Sequence, residues 1–129
     1  MPQTAKGLFR QMAAALAAGN EVAVDTASGL SELLAGLPAS VAARVMWSGN
    51  FEADGPFAGA LVEGDAARVR AVNRRIAKLA GPLVLVQAAA IEALDADAEV
   101  YCLHWLLEEV STSINTAAAG GNASLMTIG

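Results

Sequence analysis

The side chains with the greatest chemical reactivity, one cysteine and one histidine, lie close together in the sequence. Cys102 and His104 fall two positions apart on a helix that the apolar spacing predicts over residues 99–109. Residues two apart point to different faces of a helix, so these two side chains cannot bind one metal ion together. Cys102 has no glycine turn or adjacent base, which favours a buried structural thiol over a nucleophile. His104 precedes Glu108 by four residues, which favours a surface pair over a metal site.

A second candidate is a predicted helix over residues 65–80 that carries five basic side chains. The chain as a whole has a net charge of −5, and this helix has no aromatic residue, which argues against a nucleic-acid surface. A solvated face that pairs with acidic residues is favoured, and docking to an acidic neighbour stays open. The five residues are Arg68, Arg70, Arg74, Arg75 and Lys78.

The composition predicts a protein that buries one of its faces against another surface. Hydrophobic residues make up 55% of the 129 residues, against 16% charged residues. The mean hydropathy is +0.46, which indicates burial against a partner or against the rest of a longer chain. No apolar run approaches a membrane span and no signal peptide is recognised. Together with the single cysteine, these features predict a cytoplasmic protein.

Short strands alternate with helices along the chain, which is typical of an α/β domain with a mainly parallel sheet of about five strands. Residues 48–56 are predicted to be a loop, and residues 111–129 to form the last strand and a tail outside the main domain, residues 1–110. The predicted strands are residues 21–25, 45–47, 57–62, 83–87 and 112–115, and the predicted helices are residues 4–18, 30–35, 65–80 and 99–109.

The extended C-terminal tail, residues 111–129, has no charged side chain and contains a Gly-Gly pair. A solvated terminus is normally polar, so this tail is predicted to be buried against something. Its aliphatic side chains would supply apolar contacts, and its glycines would let the backbone turn close to a neighbour. The candidate interface residues are Ile114, Asn115, Gly120, Gly121, Asn122, Leu125, Met126 and Ile128.

The tail, from Ser113 to Gly129, resembles the C-terminal motif of long proline utilisation A proteins. Residues 13–24, 35–41 and 57–78 are more weakly similar to the cofactor-binding half of aldehyde dehydrogenases. The resemblance implies a Rossmann-like three-layer domain within a bifunctional enzyme that oxidises proline to glutamate with FAD and NAD. It further implies that this domain acts as a lid on the tunnel that carries the intermediate, and that its tail supports the aldehyde dehydrogenase active site.

The chain departs from the aldehyde dehydrogenase pattern where the cofactor would bind. Asp25 stands where that family has a lysine, and Glu63-Gly64-Asp65 stands where it has Thr-Gly-Ser. Gln87 stands in place of the glutamate of that family, and the stretch with the catalytic cysteine is missing. Carboxylates at a helix N-terminus would satisfy its N–H groups and repel a pyrophosphate. We therefore predict no catalytic, cofactor-binding or metal residues, and no activity for this fragment alone.

The predicted partners are the aldehyde dehydrogenase and other domains of the same polypeptide, with a homo-oligomer through the tail as a further possibility. The alternative function is a Rossmann-like module that still binds a nucleotide or a small ligand. Trp47, Phe57 and Trp105 are predicted to be core or interface anchors. Whether a strand precedes Met1 is left open by the sequence.

Overall fold

The structure is a computed structural model that describes residues 1–96 and 100–107. Within this part, helices and strands alternate as the sequence predicts, with short 3-10 turns at Thr26–Ser28, Ser31–Leu34 and Leu103–Leu106. The helices are α1 (Ala5–Ala17), α2 (Ala39–Ala42), α3 (Phe51–Asp54), α4 (Ala66–Ile76) and α5 (Ile91–Asp95), and the strands are β1 (Val22–Asp25), β2 (Val45–Ser48), β3 (Gly59–Glu63) and β4 (Leu85–Ala89).

The two longest helices begin where the sequence predicts, because each has a capping side chain. The Thr4 hydroxyl accepts a hydrogen bond from the Gly7 N–H at 3.0 Å, and α1 follows. The Asp65 carboxylate accepts one from the Arg68 N–H at 2.8 Å at the start of α4. Such caps satisfy N–H groups that have no partner within the helix.

The four strands form two parallel pairs. β1 pairs with β2, with Val22 opposite Val45, and β3 pairs with β4, with Val62 opposite Ala88. The α/β class with parallel strands is therefore confirmed. A single sheet of about five strands is not confirmed, because the described residues form two separate two-stranded sheets.

Helix α1 packs against both strand pairs. Leu8 and Met12 of this helix form one buried cluster with Val24 of β1. Ala14, also on α1, joins a second cluster with Ala89 of β4 and the buried Tyr101. A third cluster, between β3 and α4, contains Phe51, Val62, Val72 and Ile76.

Three predicted elements differ from the structure. The helix predicted over residues 99–109 is wrong for residues 100–107, where the structure has extended backbone and one 3-10 turn. The predicted loop 48–56 contains α3, and the predicted helix at residues 30–35 is a 3-10 turn. The predicted last strand, residues 112–115, lies outside the described residues.

Candidate functional site

A cleft of about 680 Å³ lies between the two strand pairs. One wall is β1, from Val22 to Asp25, and the other wall includes Gly59, Ala60 and Leu61 of β3. Leu8 and Met12 of α1 line it as well. The cleft therefore lies beside the strand edges that do not pair with β2 or β4.

The fully buried carboxylate of Glu63 lies at the start of α1. It accepts hydrogen bonds from the Gln3 N–H at 2.6 Å, from the Thr4 N–H at 2.9 Å and from the Thr4 hydroxyl at 2.5 Å. It lies so close to Gly7 that a Cβ atom at this glycine would overlap it. An oxyanion of the protein itself thus occupies the approach to this helix.

The other two carboxylates of the predicted cofactor region also accept hydrogen bonds from backbone N–H groups. Asp65 caps α4, and Asp25 accepts a hydrogen bond from the Ala27 N–H at 2.9 Å. Between Glu63 and Asp65, Gly64 has a φ of 145°, in the region that favours glycine. A Cβ atom at Gly64 would also overlap the Arg68 side chain.

A protein carboxylate already occupies part of the predicted cofactor position, the N-terminus of α4, because Asp65 accepts from the Arg68 N–H there. The Glu63 carboxylate, which the sequence placed at the same helix end, lies instead at the entry to α1. Within residues 1–96 and 100–107, no group of three or more His, Cys, Asp or Glu side chains is placed to hold a metal ion.

A largely buried chain of hydrogen bonds connects the N-terminus to Tyr101. The Met1 amino group donates to Gln11 Oε1 at 3.0 Å, and Gln11 Nε2 donates to the Tyr101 hydroxyl at 2.9 Å. That hydroxyl in turn donates to the Val62 carbonyl oxygen at 3.4 Å. Burial raises the pKa of Tyr101, an effect that the hydrogen bond from Gln11 partly offsets.

The structure corrects the interpretation of Cys102. Its side chain is exposed, so it is not the buried structural thiol that the sequence predicted. Its backbone is held by Gln87, whose Oε1 accepts from the Cys102 N–H at 2.7 Å. His104 is also exposed, and its predicted partner Glu108 lies outside the described residues.

The prediction that the basic helix pairs with acidic residues is confirmed at Arg75. Its guanidinium donates to both carboxylate oxygens of Glu52, at 2.7 and 3.0 Å, and lies 4.4 Å from the centre of the Phe51 ring. The hydrogen bond from Arg75 lowers the pKa of Glu52. Arg68 donates instead to the Glu63 carbonyl oxygen at 3.0 Å.

The structure describes the predicted aromatic anchors Phe57 and Trp105 but not the predicted interface residues of the tail. Phe57 and Trp105 line the cleft, although Trp105 is 58% exposed. All eight predicted tail residues lie outside the described part of the chain: Ile114, Asn115, Gly120, Gly121, Asn122, Leu125, Met126 and Ile128.

Sequence reasoning missed Met1, Gln11 and Tyr101 as a connected group. Gln11 lies on the buried face of α1, between Leu8 and Met12, and a glutamine at that position was the available signal. A polar side chain on an apolar helix face needs a buried partner. Which partner it finds depends on tertiary structure.

These features define the chain as an α/β domain with parallel strands. The carboxylates of its predicted cofactor region accept hydrogen bonds from the protein's own backbone N–H groups. Over all 129 residues it is 64% identical to "Bifunctional protein PutA" of Rhizobium meliloti, of which it covers 10%. It is 39% identical over 120 residues to the PutA of Salmonella typhimurium and 38% identical over 121 residues to that of Escherichia coli K12. Each of these matches covers 92% of the chain and 9% of the relative. No protein-family model matches the chain.

The homologues of this chain are thus PutA proteins, and the resemblance to proline utilisation A is confirmed. The chain spans about a tenth of the length of the curated relatives that it matches. Among the described residues, no helix is long and apolar enough to cross a membrane.

Proposed function

We propose that this chain is a non-catalytic domain of a bifunctional enzyme that oxidises proline to glutamate. The observation that carries the proposal is its similarity, over its whole length, to a tenth of a bifunctional PutA protein. In this proposal, FAD and NAD serve the catalytic domains of the same cytoplasmic polypeptide, and this domain binds neither. The buried Glu63 carboxylate supports a structural role, because it accepts hydrogen bonds from backbone N–H groups of the protein itself at the entry to α1.

The specific role is that of a lid. The domain seals the tunnel through which the intermediate passes between the two active sites, and its neutral tail packs against the aldehyde dehydrogenase domain. The apolar side chains that line the cleft and its rim, including Trp105 and Leu107, are compatible with a domain that is covered in the complete protein. A contact between two copies of the enzyme through the tail is a second part of this proposal.

The test uses the full-length enzyme with residues 113–129 of this chain deleted. Proline dehydrogenase activity, followed with an artificial electron acceptor, should survive because its active site is elsewhere in the polypeptide. The coupled conversion of proline to glutamate should collapse. The exposed Lys78→Gln substitution is the control for a general surface change, and it should leave both rates unchanged. Normal coupled flux in the deletion variant would refute the lid.

The alternative function, binding of a nucleotide or small ligand, is supported by the size of the cleft between β1 and β3. A thermal melt of the domain with and without millimolar NAD distinguishes the two functions. We expect no change in melting temperature with NAD. A saturable increase would favour the alternative.

A further inference from the structure

The backbone of Met1 pairs with β3 in the manner of a parallel strand. The Met1 amino nitrogen donates to the Leu61 carbonyl oxygen at 2.6 Å, and the Glu63 N–H donates to the Met1 carbonyl oxygen at 3.2 Å. These two bonds flank Val62, and together they are the hydrogen bonds of one parallel pair between Met1 and Val62. Met1 thus occupies the position of the last residue of a strand beside β3.

This pairing uses the edge of β3 that faces away from β4. Along a strand, the N–H and C=O groups of successive residues point to opposite edges. The N–H of Gly64, directly after β3, donates to the carbonyl oxygen of Ala89 in β4, which places even-numbered residues of β3 on the β4 side. Gly59, Leu61 and Glu63 therefore present their backbone groups to the opposite edge, on which Met1 lies.

The same argument applies to β1 on the other wall of the cleft. The Val22 N–H donates to the Arg44 carbonyl oxygen just before β2, so even-numbered residues of β1 face β2. Ala23 and Asp25 therefore point their backbone groups to the other edge, along the cleft. Two parallel-sheet edges thus line one cleft, and Met1 already pairs with one of them.

The connection through α1 fits a strand in this cleft. Met1 leads within three residues into α1, which packs on both strand pairs and continues into β1. A strand, a helix and a neighbouring parallel strand form the most common unit of parallel sheets. The strands β1 and β3 have four and five residues, so a matching strand would be roughly 13–17 Å long.

The surroundings of the Met1 nitrogen also suit a peptide N–H better than an ammonium group. Burial lowers the pKa of this amino group from its ordinary value of 8.0 to about 5. An amide at this position would keep the shorter hydrogen bond, to Leu61, without a charge to desolvate, and would give up the longer one to Gln11.

We propose that the cleft receives an extended segment joined directly to Met1, which runs parallel to β1 and β3 and unites the two pairs into one sheet. The strand order is then β2, β1, the inserted strand, β3 and β4. This parallel sheet has five strands without the strand predicted at residues 112–115, which lies outside the described residues. The inserted strand presents small or apolar side chains to Leu8 and Met12 on one face of the sheet. The inference rests on the proposed membership of a longer polypeptide, but not on the lid.

A disulfide experiment in the full-length protein tests the position and register of this strand. Because Met1 lies opposite Val62, the residue two positions before Met1 should lie opposite Ala60. Cysteines at these two positions, with Cys102→Ser, should form a disulfide under mild oxidation because paired strand residues have suitable Cα spacing. The cross-linked peptide is identified by mass spectrometry, a readout that does not depend on coupled flux.

The matched control moves the upstream cysteine by one residue, to the position directly before Met1. A shift by one residue turns its side chain to the other face of the sheet, so the yield of cross-link should fall at least about tenfold. Equal yields in the two registers, or no cross-link in either, would overturn the proposal.

Hydrogen exchange identifies which segment occupies the cleft. When the chain is extended by the eight residues that precede it in the parent, the amides of Ala23 and Leu61 should exchange at least about tenfold more slowly than in the chain alone. An equally long Gly-Ser extension should have no such effect. Protection that is lost on deletion of residues 111–129, or that depends on protein concentration, would assign the cleft to the tail or to a second copy and refute the proposal.

Discussion

Gln87 and Cys102 are joined by two hydrogen bonds between a side-chain amide and a backbone peptide group. The Gln87 Oε1 accepts from the Cys102 N–H at 2.7 Å, and its Nε2 donates to the Cys102 carbonyl oxygen at 3.1 Å. Gln87 is buried in β4, so its amide fixes residues 100–107 to the sheet. Gln87 is thus a structural element of the sheet.

Replacement of this amide should weaken the fold. In Gln87→Glu an oxygen replaces the donating Nε2 and faces the Cys102 carbonyl oxygen, so we expect the free energy of unfolding to fall by about 2 kcal/mol. Urea denaturation measures this change. The exposed Asn73→Asp substitution makes the same chemical change on α4 and should stay within about 0.5 kcal/mol of the unaltered chain. Similar losses in the two variants would contradict the role assigned to Gln87.

The Glu63 carboxylate should be a second essential acceptor. Glu63→Gln replaces one accepting oxygen with an amide group that cannot accept from Thr4 or Gln3. We expect a loss of about 2–3 kcal/mol in urea denaturation, because the acceptor of these hydrogen bonds is a fully buried carboxylate and hydrogen bonds to charged groups are the stronger ones. Glu32→Gln, at an exposed position, provides the control. A Glu63→Gln variant as stable as this control would show that the carboxylate is dispensable.

The contact between Gly7 and Glu63 predicts an unusual response to alanine. Alanine normally stabilises a helix relative to glycine by about 1 kcal/mol. In Gly7→Ala the added methyl group overlaps the Glu63 carboxylate, so we expect a net loss of at least about 2 kcal/mol. Gly36→Ala is the matched control, since open space surrounds that glycine. Thermal melts of the two variants should shift by clearly different amounts, and a stabilised Gly7→Ala would refute the packing.

The buried amino group of Met1 predicts a pH-dependent stability for the chain with a free N-terminus. Its pKa is lowered from 8.0 to about 5 by desolvation, against the opposing charges of Asp25 and Glu63 and in concert with Arg68. Between these pH values the unfolded chain binds more protons than the folded chain, so stability rises with pH. The full effect from pH 5 to pH 8 is at most about 4 kcal/mol.

Acetylation of the Met1 nitrogen provides the comparison for this prediction. The acetylated chain retains an N–H for Leu61 but has no group that titrates there, so its stability should vary less over the same range. Other titrating groups contribute equally to both forms and cancel in the difference. Identical pH profiles for the two forms would show that the amino group is not buried in solution.

The sequence predicted the elements whose signals are local. Thr4 and Asp65 mark helix starts by capping, and apolar runs mark β3 and β4, because these signals act within a few residues. The prediction was wrong at residues 100–107, where Val100, Leu103 and Leu107 have helical spacing. There the backbone of Cys102 is instead held extended by Gln87, fifteen residues earlier in the chain.

The candidate site was predictable in its departures from a cofactor pattern but not in its geometry. The carboxylates at positions 25, 63 and 65 were recognised from the sequence, whereas the contact between Glu63 and the entry to α1 depends on strand placement. The helix of four residues at Phe51–Asp54 was missed for a related reason. Its segment contains a long-range ion pair with α4, from Glu52 to Arg75, that no local pattern encodes.

The phenol of Tyr101 gives the molecule a built-in optical probe. The chain contains a single tyrosine, and its two tryptophans do not ionise, so a change of ultraviolet absorbance on alkaline titration comes from one known side chain. Its hydroxyl lies where α1, through Gln11, meets β3, through Val62. An alkaline titration followed by absorbance therefore reports whether this junction is closed, in the chain alone and in any longer protein whose other tyrosines have been replaced.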